Sequence, residues 1–167
     1  MGKLWPFVVG TLLLAGCAYN TTGGSAANVG SVYIPFFEDE TTGERAPDLA
    51  TRLTETLVLE FMRYKGLRVY QGARERELAQ KELLGTVKRL SEAVLTRSAD
   101  ETQEEYRVVL VCSVQYKDVG STEGWNEQLS GDGNYLIEEG EPGFERALGE
   151  SMREIVDKIL DKTVRAW

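Results

Sequence analysis

Cys17 is the residue whose surroundings most clearly specify a chemical reaction. Lys3 supplies a positive charge near the start of the chain, and the apolar run 4–14 follows it. That run is about eleven residues long, whereas a helix that crosses a bilayer needs about twenty, so it predicts an export signal and not a membrane span. Ala15 and Gly16 are small, which gives a peptidase access to the bond before Cys17. The pattern predicts removal of residues 1–16 and attachment of lipid to the Cys17 thiol.

The four residues Leu14-Ala15-Gly16-Cys17 resemble the lipobox of bacterial lipoproteins. An ordinary secretory signal that contains a cysteine is the alternative, but the position, the small residues and the apolar lead-in all favour lipidation. Several acyl chains on one residue hold a protein stably on a membrane, whereas a single chain does not. Ala18 stands where Asp favours retention in the inner membrane, so the resemblance implies a lipid-anchored protein at the periplasmic face of the outer membrane. Residues 17–28 then form the lipidated cysteine and a flexible tether, because 18–28 are small and polar.

The other residues that could do chemistry favour a protein without catalysis. The chain contains no histidine, which removes the commonest general base and the commonest zinc ligand. It has neither a Gly-x-Ser-x-Gly motif nor a glycine-rich phosphate loop. Carboxylate pairs such as Glu104-Glu105 and Glu138-Glu139 are expected to be solvated surface in a chain with 27 acidic residues. We therefore predict no catalytic residue, no metal and no cofactor.

Two further segments have a chemical and a structural interpretation. The run Ser130-Gly131-Asp132-Gly133-Asn134 is faintly similar to a calcium loop, but the acidic residues after it lack the required spacing, so a glycine-rich turn or bulge within a hairpin is preferred. Cys112 lies in the alternating run 106–116, which predicts a small buried hydrophobe, with a reactive thiol as the alternative. If Cys17 carries lipid, Cys112 has no intrachain disulfide partner.

The charge of the chain excludes some classes of partner. The formal net charge is −8 at pH 7, and nucleic-acid binding depends on neutralising phosphates with Lys and Arg, so no nucleic acid is expected. Attraction of the whole protein to an anionic membrane or glycolipid is also disfavoured, because like charges repel. Contact with an anionic ligand would need a local basic patch.

Hydrophobic spacing predicts the elements that position these residues in one domain, residues 29–167. Helices are predicted at about 47–64, with Pro47 in the first turn, and over about twenty residues from Phe144 to Val164, with a short helical piece near 74–81. Strands are predicted at 32–37, 67–70, 82–96, 106–116 and 124–137. Pro35 indicates either that the first strand lies at an edge of the sheet or that the strand ends near this residue. The expected fold is α+β, with two helices packed on one face of a mostly antiparallel sheet of about four to five strands.

The order of several segments resembles one family. After the lipobox come VYIPFFEDET at 32–41 and LTETLVLEF at 53–61, then LGTV at 84–87, EYRV at 105–108 and the long closing helix. Together they are similar to the lipopolysaccharide-assembly lipoprotein family, LptE. The resemblance implies a non-enzymatic protein that plugs the LptD β-barrel, helps it to assemble, and serves the delivery of lipopolysaccharide to the outer leaflet.

Some members of that family also touch lipopolysaccharide through basic residues, so the resemblance implies a search for such residues here. Arg97, before the predicted 98–105 hairpin loop, and Lys88-Arg89 in the same strand are the local basic candidates. Solvated charges or weak salt bridges are the alternative for all three.

Two other classes of function stay open at this point. A small α+β domain on a lipid anchor could bind a periplasmic ligand or assist another envelope assembly machine, because fold alone does not define function. A hydrolase that uses carboxylates would need a cleft with acids of raised pKa, and nothing in the sequence points to one.

Overall fold

Six strands form one sheet in a computed structural model that describes residues 30–41, 45–97 and 104–165. They are β1 (Ser31–Tyr33), β2 (Glu38–Asp39), β3 (Arg68–Tyr70), β4 (Lys81–Arg97), β5 (Glu104–Asp118) and β6 (Gly124–Leu136). Their order is β3-β1-β4-β5-β6, and β2 pairs with β4 beyond the end of β1. The long ladders β4-β5 and β5-β6 are antiparallel, as predicted, whereas β1, β2 and β3 pair in parallel. The prediction of four to five strands was therefore too low, and it missed this parallel part.

Two helices cover one face of the sheet, as the sequence predicted. They are α1 (Leu49–Met62) and α2 (Gly140–Thr163), and their apolar stripes share one core with the inward side chains of the strands. Leu53, Leu57 and Phe61 of α1 and Leu148 and Ile155 of α2 are fully buried there. Each stripe removes apolar area from water at about 25 cal/mol per Å², which is the main favourable term for this layer. Among the described helices, none combines the length and the apolar composition of a membrane span.

Pro35 divides what the sequence predicted as a single strand at 32–37. The strand β1 ends at Tyr33, and β2 starts only at Glu38, because proline has no N–H to donate to a ladder. A strand end at Pro35 was therefore a correct prediction, but an edge position was wrong, since β1 lies between β3 and β4. In the interruption, the Phe37 ring packs against Gly85, where an added Cβ would overlap it. The Phe37 N–H donates to the Thr54 hydroxyl at 3.0 Å, which fixes the break against α1.

Two helix predictions need correction at their boundaries. Helix α1 begins at Leu49 rather than at Pro47, because Asp48 has a left-handed backbone (φ 60°) that ends the preceding turn. The predicted helical piece at 74–81 is a 3-10 helix, Ala73–Leu78, which leads directly into β4. Helix α1 ends at Met62 rather than at 64 and is capped by Arg63, whereas Gly66, with φ 88°, lies in the turn that follows.

The glycines of the run 130–134 allow helix and sheet to approach closely. The segment is regular β6 strand paired with β5 without a register shift, so the prediction of a turn or bulge was wrong. A Cβ on Gly131 or Gly133 would collide with the backbone of α2, at Ser151 and Ala147 respectively. Helix α2 therefore lies directly on the β6 backbone, which explains the glycines without a metal.

Candidate partner-binding surface

The face of the sheet opposite the helices is a candidate contact surface, because no described helix of the chain covers β4, β5 and β6 there. Its exposed and half-buried side chains are small or polar over much of its length. A groove of about 320 Å³ crosses it beside the β1-β2 break. It is lined by Pro35, Phe36, Glu38, Leu84, Gly85, Thr86, Ser113, Gln115 and Asn126. The amide and hydroxyl groups of this groove can form hydrogen bonds with a polypeptide or a sugar.

Phe36 is the most prominent apolar group beside this groove. Its side chain is 56% exposed, whereas its neighbour Phe37 is buried in the core. The two residues alternate between the faces of the sheet, so the aromatic pair in the sequence serves two surfaces. An exposed phenyl ring is common at protein interfaces.

A second apolar surface lies at the far end of the β4-β5 hairpin. We call it the distal end, and it consists of Val94, Leu95, Leu136 and Ile137, which are 38–47% exposed. These residues form two consecutive apolar pairs, each at or near the end of a long strand. Because β5 also has consecutive apolar residues, at 108–112, no local pattern in the sequence identifies the distal end.

The distal end and the start of the described chain lie at opposite ends of the sheet. Gly30 accepts a backbone hydrogen bond from Arg68 next to the first residues of β4, and the closing residues return to the same end through an Arg165–Tyr64 hydrogen bond of 2.7 Å. Strand β4 then runs for 17 residues away from that end. At about 3.3 Å per residue, the hairpin carries the distal end roughly 50 Å from Gly30.

A charged and aromatic cluster fixes the loop before α1 to the sheet near the distal end. Glu92 accepts hydrogen bonds from both Arg45 and the Tyr135 hydroxyl. The Arg45 guanidinium also lies 4.0 Å from the centroid of the Phe144 ring, a cation–π contact. Burial, followed by the hydrogen bond to Glu92, raises the pKa of Tyr135. The cluster is a positioning device, because each of its polar groups has a partner within the chain.

A buried carboxylate fixes another segment to the sheet at the end opposite the distal end. Glu82 is fully buried, and it accepts bonds from Arg76 at 2.6 and 3.0 Å and an ion-pair contact from Lys117 at 3.3 Å. The hydrogen bonds from Arg76 lower the pKa of Glu82, so the carboxylate is charged at neutral pH. This arrangement joins the 3-10 helix to the sheet. The sequence reasoning missed it, because nothing in a single strand shows which acid is covered.

The structure separates the basic residues that the resemblance suggested as lipopolysaccharide contacts. Lys88 pairs with Glu40 at 2.7 Å. Arg89 is exposed, and among the described residues it has no ion-pair partner. Arg97 ends β4, opposite Glu104. The Cα atoms of Lys88 and Arg97 are nine residues apart on one strand, about 30 Å, so the three do not form one patch.

The two cysteines have different outcomes. Cys112 is buried in the core between α2 and the sheet, and burial raises the pKa of its thiol to about 12. The prediction of a small buried hydrophobe is confirmed, since a protonated thiol without access to solvent is a poor nucleophile. Cys17, the lipobox Leu14-Ala15-Gly16-Cys17 and the tether 17–28 lie outside the described residues.

Most of the chain matches one known protein family. The family model for LptE, lipopolysaccharide-assembly, matches residues 29–163. The chain belongs to the LptE family. This match confirms the resemblance that the sequence segments indicated, and LptE proteins are in general non-enzymatic. No curated protein sequence matches the chain.

This LptE-family chain is similar to solved structures at low sequence identity. The hypothetical protein CT253 from Chlamydia trachomatis has 11% identity and a TM-score of 0.54, over 81% of this chain and 98% of that one. Lipoprotein GNA1162 from Neisseria meningitidis has 11% identity and a TM-score of 0.46, over 79% and 99% of the two chains. The likeness to CT253 is one of fold alone. The assignment to a function therefore depends on the family match.

Proposed function

We propose that this chain is an outer-membrane lipoprotein, lipidated at Cys17, whose domain 29–167 plugs an LptD-like β-barrel and helps it to assemble. In that position it serves the insertion of lipopolysaccharide into the outer leaflet without catalysing a reaction. The observation that carries the proposal is the family match over residues 29–163. Signal peptide 1–16 and tether 17–28 complete the proposed arrangement.

The geometry supports one orientation in the barrel. A lipid on Cys17 would hold the Gly30 end near the membrane surface, because only the tether separates them. The distal end, roughly 50 Å away along the hairpin, would then enter the lumen. Its four exposed apolar residues lie together at one end of the sheet, and burial against a partner would remove them from water.

Co-purification in a mild detergent tests the proposal. The full-length tagged chain is expected to retain a large β-barrel protein, and an unrelated tagged lipoprotein is the negative control. The variant Leu136→Glu with Ile137→Glu places two charges at the distal end and is expected to lower barrel recovery at least about tenfold, because buried unpaired carboxylates are costly.

A matched variant separates the distal end from a general effect of charge. Leu59 and Met62 are 62% and 58% exposed on α1, away from the distal end. Leu59→Glu with Met62→Glu should leave recovery within about twofold, since exposed surface substitutions perturb little. Absence of a barrel from the wild-type pull-down contradicts the proposed function. Depletion that leaves surface lipopolysaccharide and barrel location unchanged would favour the alternative of a periplasmic ligand or another assembly machine.

The lipid anchor has its own test. Cys17→Ser removes the thiol that receives the lipid, so the variant is expected to leave the membrane fraction in cells that lack the barrel partner. Ala18→Ser, which keeps the cysteine, is the control. Continued membrane partition of the Cys17→Ser chain without its partner would contradict lipidation at this position.

Contact with lipopolysaccharide through Arg97, Lys88 or Arg89 stays part of the proposal. Since Lys88 already pairs with Glu40, Arg89 and Arg97 are the better candidates. Arg97→Asp and Arg89→Asp should each weaken lipopolysaccharide binding by the purified chain, with Arg63→Asp, directly after α1, as a control. Unchanged binding removes the residue concerned from the proposal.

A further inference from the structure

The two long outer edges of the sheet differ in how their backbone groups are used. On β6, side chains of α2 occupy the outer edge: Lys158 donates to the Ser130 carbonyl at 2.6 Å and Arg146 to the Asn134 carbonyl at 3.2 Å. Between them, the Asp132 N–H donates to Glu154 at 2.8 Å. These charged side chains take the positions that another strand would need, so this part of β6 is closed to strand addition.

The outward groups of β4 follow from the same register. Because residues 130, 132 and 134 direct their backbone outward, the alternate residues of β6 bond to β5, at Leu110, Val108 and Tyr106. The backbone N–H and C=O groups of these three β5 residues therefore point away from β4. Their β4 partners in turn direct N–H and C=O groups away from β5, to the other edge of β4. These partners are Leu90, Glu92 and Val94.

This edge of β4 has no strand beside it in the described part of the chain. Strand β2 pairs only with Thr86 and Val87, and the last backbone bond on this side joins the Glu40 N–H to the Val87 carbonyl at 2.9 Å. Arg45 reaches Glu92, but through its side chain and not its backbone. Val94 and Leu95 are each 40% exposed beside the free edge. An exposed edge with apolar side chains is a template for an added strand.

We propose that the β4 edge at residues 90–94 pairs with an extended segment of the barrel partner, so that the sheet of this chain continues into that protein. The inference rests on the proposed function and specifies its contact. A closed barrel wall has no free strand edge, so the pairing segment is an extended stretch of that protein inside the lumen, beside the distal end that the proposed orientation places there. A second copy of this chain is the less suitable occupant, because its net charge of −8 opposes self-association.

Val94→Pro tests the backbone contact directly. Proline removes the outward N–H of Val94 but none of the bonds between β4 and β5, since Val94 faces the free edge. Val94→Ala is the matched control, because it truncates the side chain and keeps the N–H. In the full-length chain, Val94→Pro is expected to lower barrel recovery at least about tenfold, and Val94→Ala less than about threefold. Equal recovery with the two variants overturns the inference while leaving the proposed function intact.

A photo-crosslinking residue gives a second measurement that does not depend on the proline variant folding. Ala93 is exposed beside the free edge, and Asp132 is exposed on the closed edge of β6. A crosslinker at Ala93 should form an adduct with the barrel protein, and one at Asp132 should form at least about tenfold less. Equal adducts at both positions, or an adduct between two copies of this chain from Ala93, overturn the inference. If no position forms an adduct with a barrel protein and the wild-type chain also recovers no barrel in the pull-down, the proposed function is overturned as well.

Discussion

Gly133→Ala tests whether α2 lies directly on the β6 backbone. An added Cβ would come within 2.8 Å of both the Cα and the carbonyl carbon of Ala147, and closer still to the carbonyl oxygen. These atoms belong to a helix backbone, so no side-chain rotation relieves the overlap and α2 must retreat by about 1 Å. Gly133 does not have positive φ, so packing alone requires the glycine.

The expected loss follows from two opposing effects. Overpacking of a close contact costs about 1–3 kcal/mol in the free energy of unfolding. Replacing glycine restricts the unfolded chain and returns about 0.4–1 kcal/mol. Because the overlap is with helix backbone, we take the upper part of the overpacking range, about 2–3 kcal/mol, which leaves a net loss of about 1–2.6 kcal/mol. With a urea dependence of about 2 kcal/mol/M, the unfolding midpoint should fall by about 0.5–1.3 M.

Gly149→Ala on the same helix is the matched control. Gly149 lies inside α2 with nothing within 4 Å of an added Cβ, so alanine should raise the free energy of unfolding by about 0.5–1 kcal/mol. Urea unfolding of the purified chain, followed by circular dichroism, compares the two. The reasoning is refuted if Gly133→Ala unfolds at or above the wild-type midpoint, or if both substitutions shift it in the same direction.

Two further predictions concern buried titratable groups. Because burial raises the thiol pKa of Cys112 to about 12, only about one molecule in ten thousand carries a thiolate at about pH 8. Alkylation of Cys112, measured by mass spectrometry, should therefore be negligible in the folded chain and rapid in concentrated urea. Rapid labelling of the folded chain would contradict the buried position. Glu82→Gln should lower the free energy of unfolding by about 1–3 kcal/mol at neutral pH, since it weakens the charged hydrogen bonds from Arg76. Arg76 lowers the folded-state pKa below the ordinary 4.5, so the stabilisation is complete above that pH and is lost as the pH falls through the folded-state pKa. Urea titrations of the wild type and of Glu82→Gln check this. If the difference in their free energies of unfolding is the same at acidic and at neutral pH, the charged Glu82–Arg76 interaction is refuted.

The sequence was sufficient to predict the elements whose apolar residues have a regular period. Leu53, Leu57 and Phe61 recur at four-residue spacing and form the buried stripe of α1. The alternation from Tyr106 to Tyr116 likewise predicted β5, and the structure buries Cys112 and Val114 within it. In these segments burial on one side determines the pattern, so local spacing contains the answer.

Other features depend on contacts between distant segments, which local spacing does not contain. The glycines of β6 indicated a turn until α2 was placed against them, 14 to 20 residues later in the chain. The parallel pairing of β1 with β3 requires the α1 crossover, and Glu82 is distinguished from other acids only by Arg76 and Lys117 around it. Lys88, Arg89 and Arg97 are close in sequence, but an extended strand separates the first from the last by about 30 Å.

The closed edge of β6 also has a consequence for the order of events during the proposed export. Strand β6 precedes α2 in the chain, so Ser130, Asp132 and Asn134 leave the translocation channel before the helix whose side chains will bond to them. In that interval, β6 presents an unpaired edge to any neighbouring chain, which is a condition for aggregation. Docking of helix α2 therefore protects the edge of the strand before it from pairing with another chain. Slow docking of this helix, more than low final stability, would then limit the yield of folded protein.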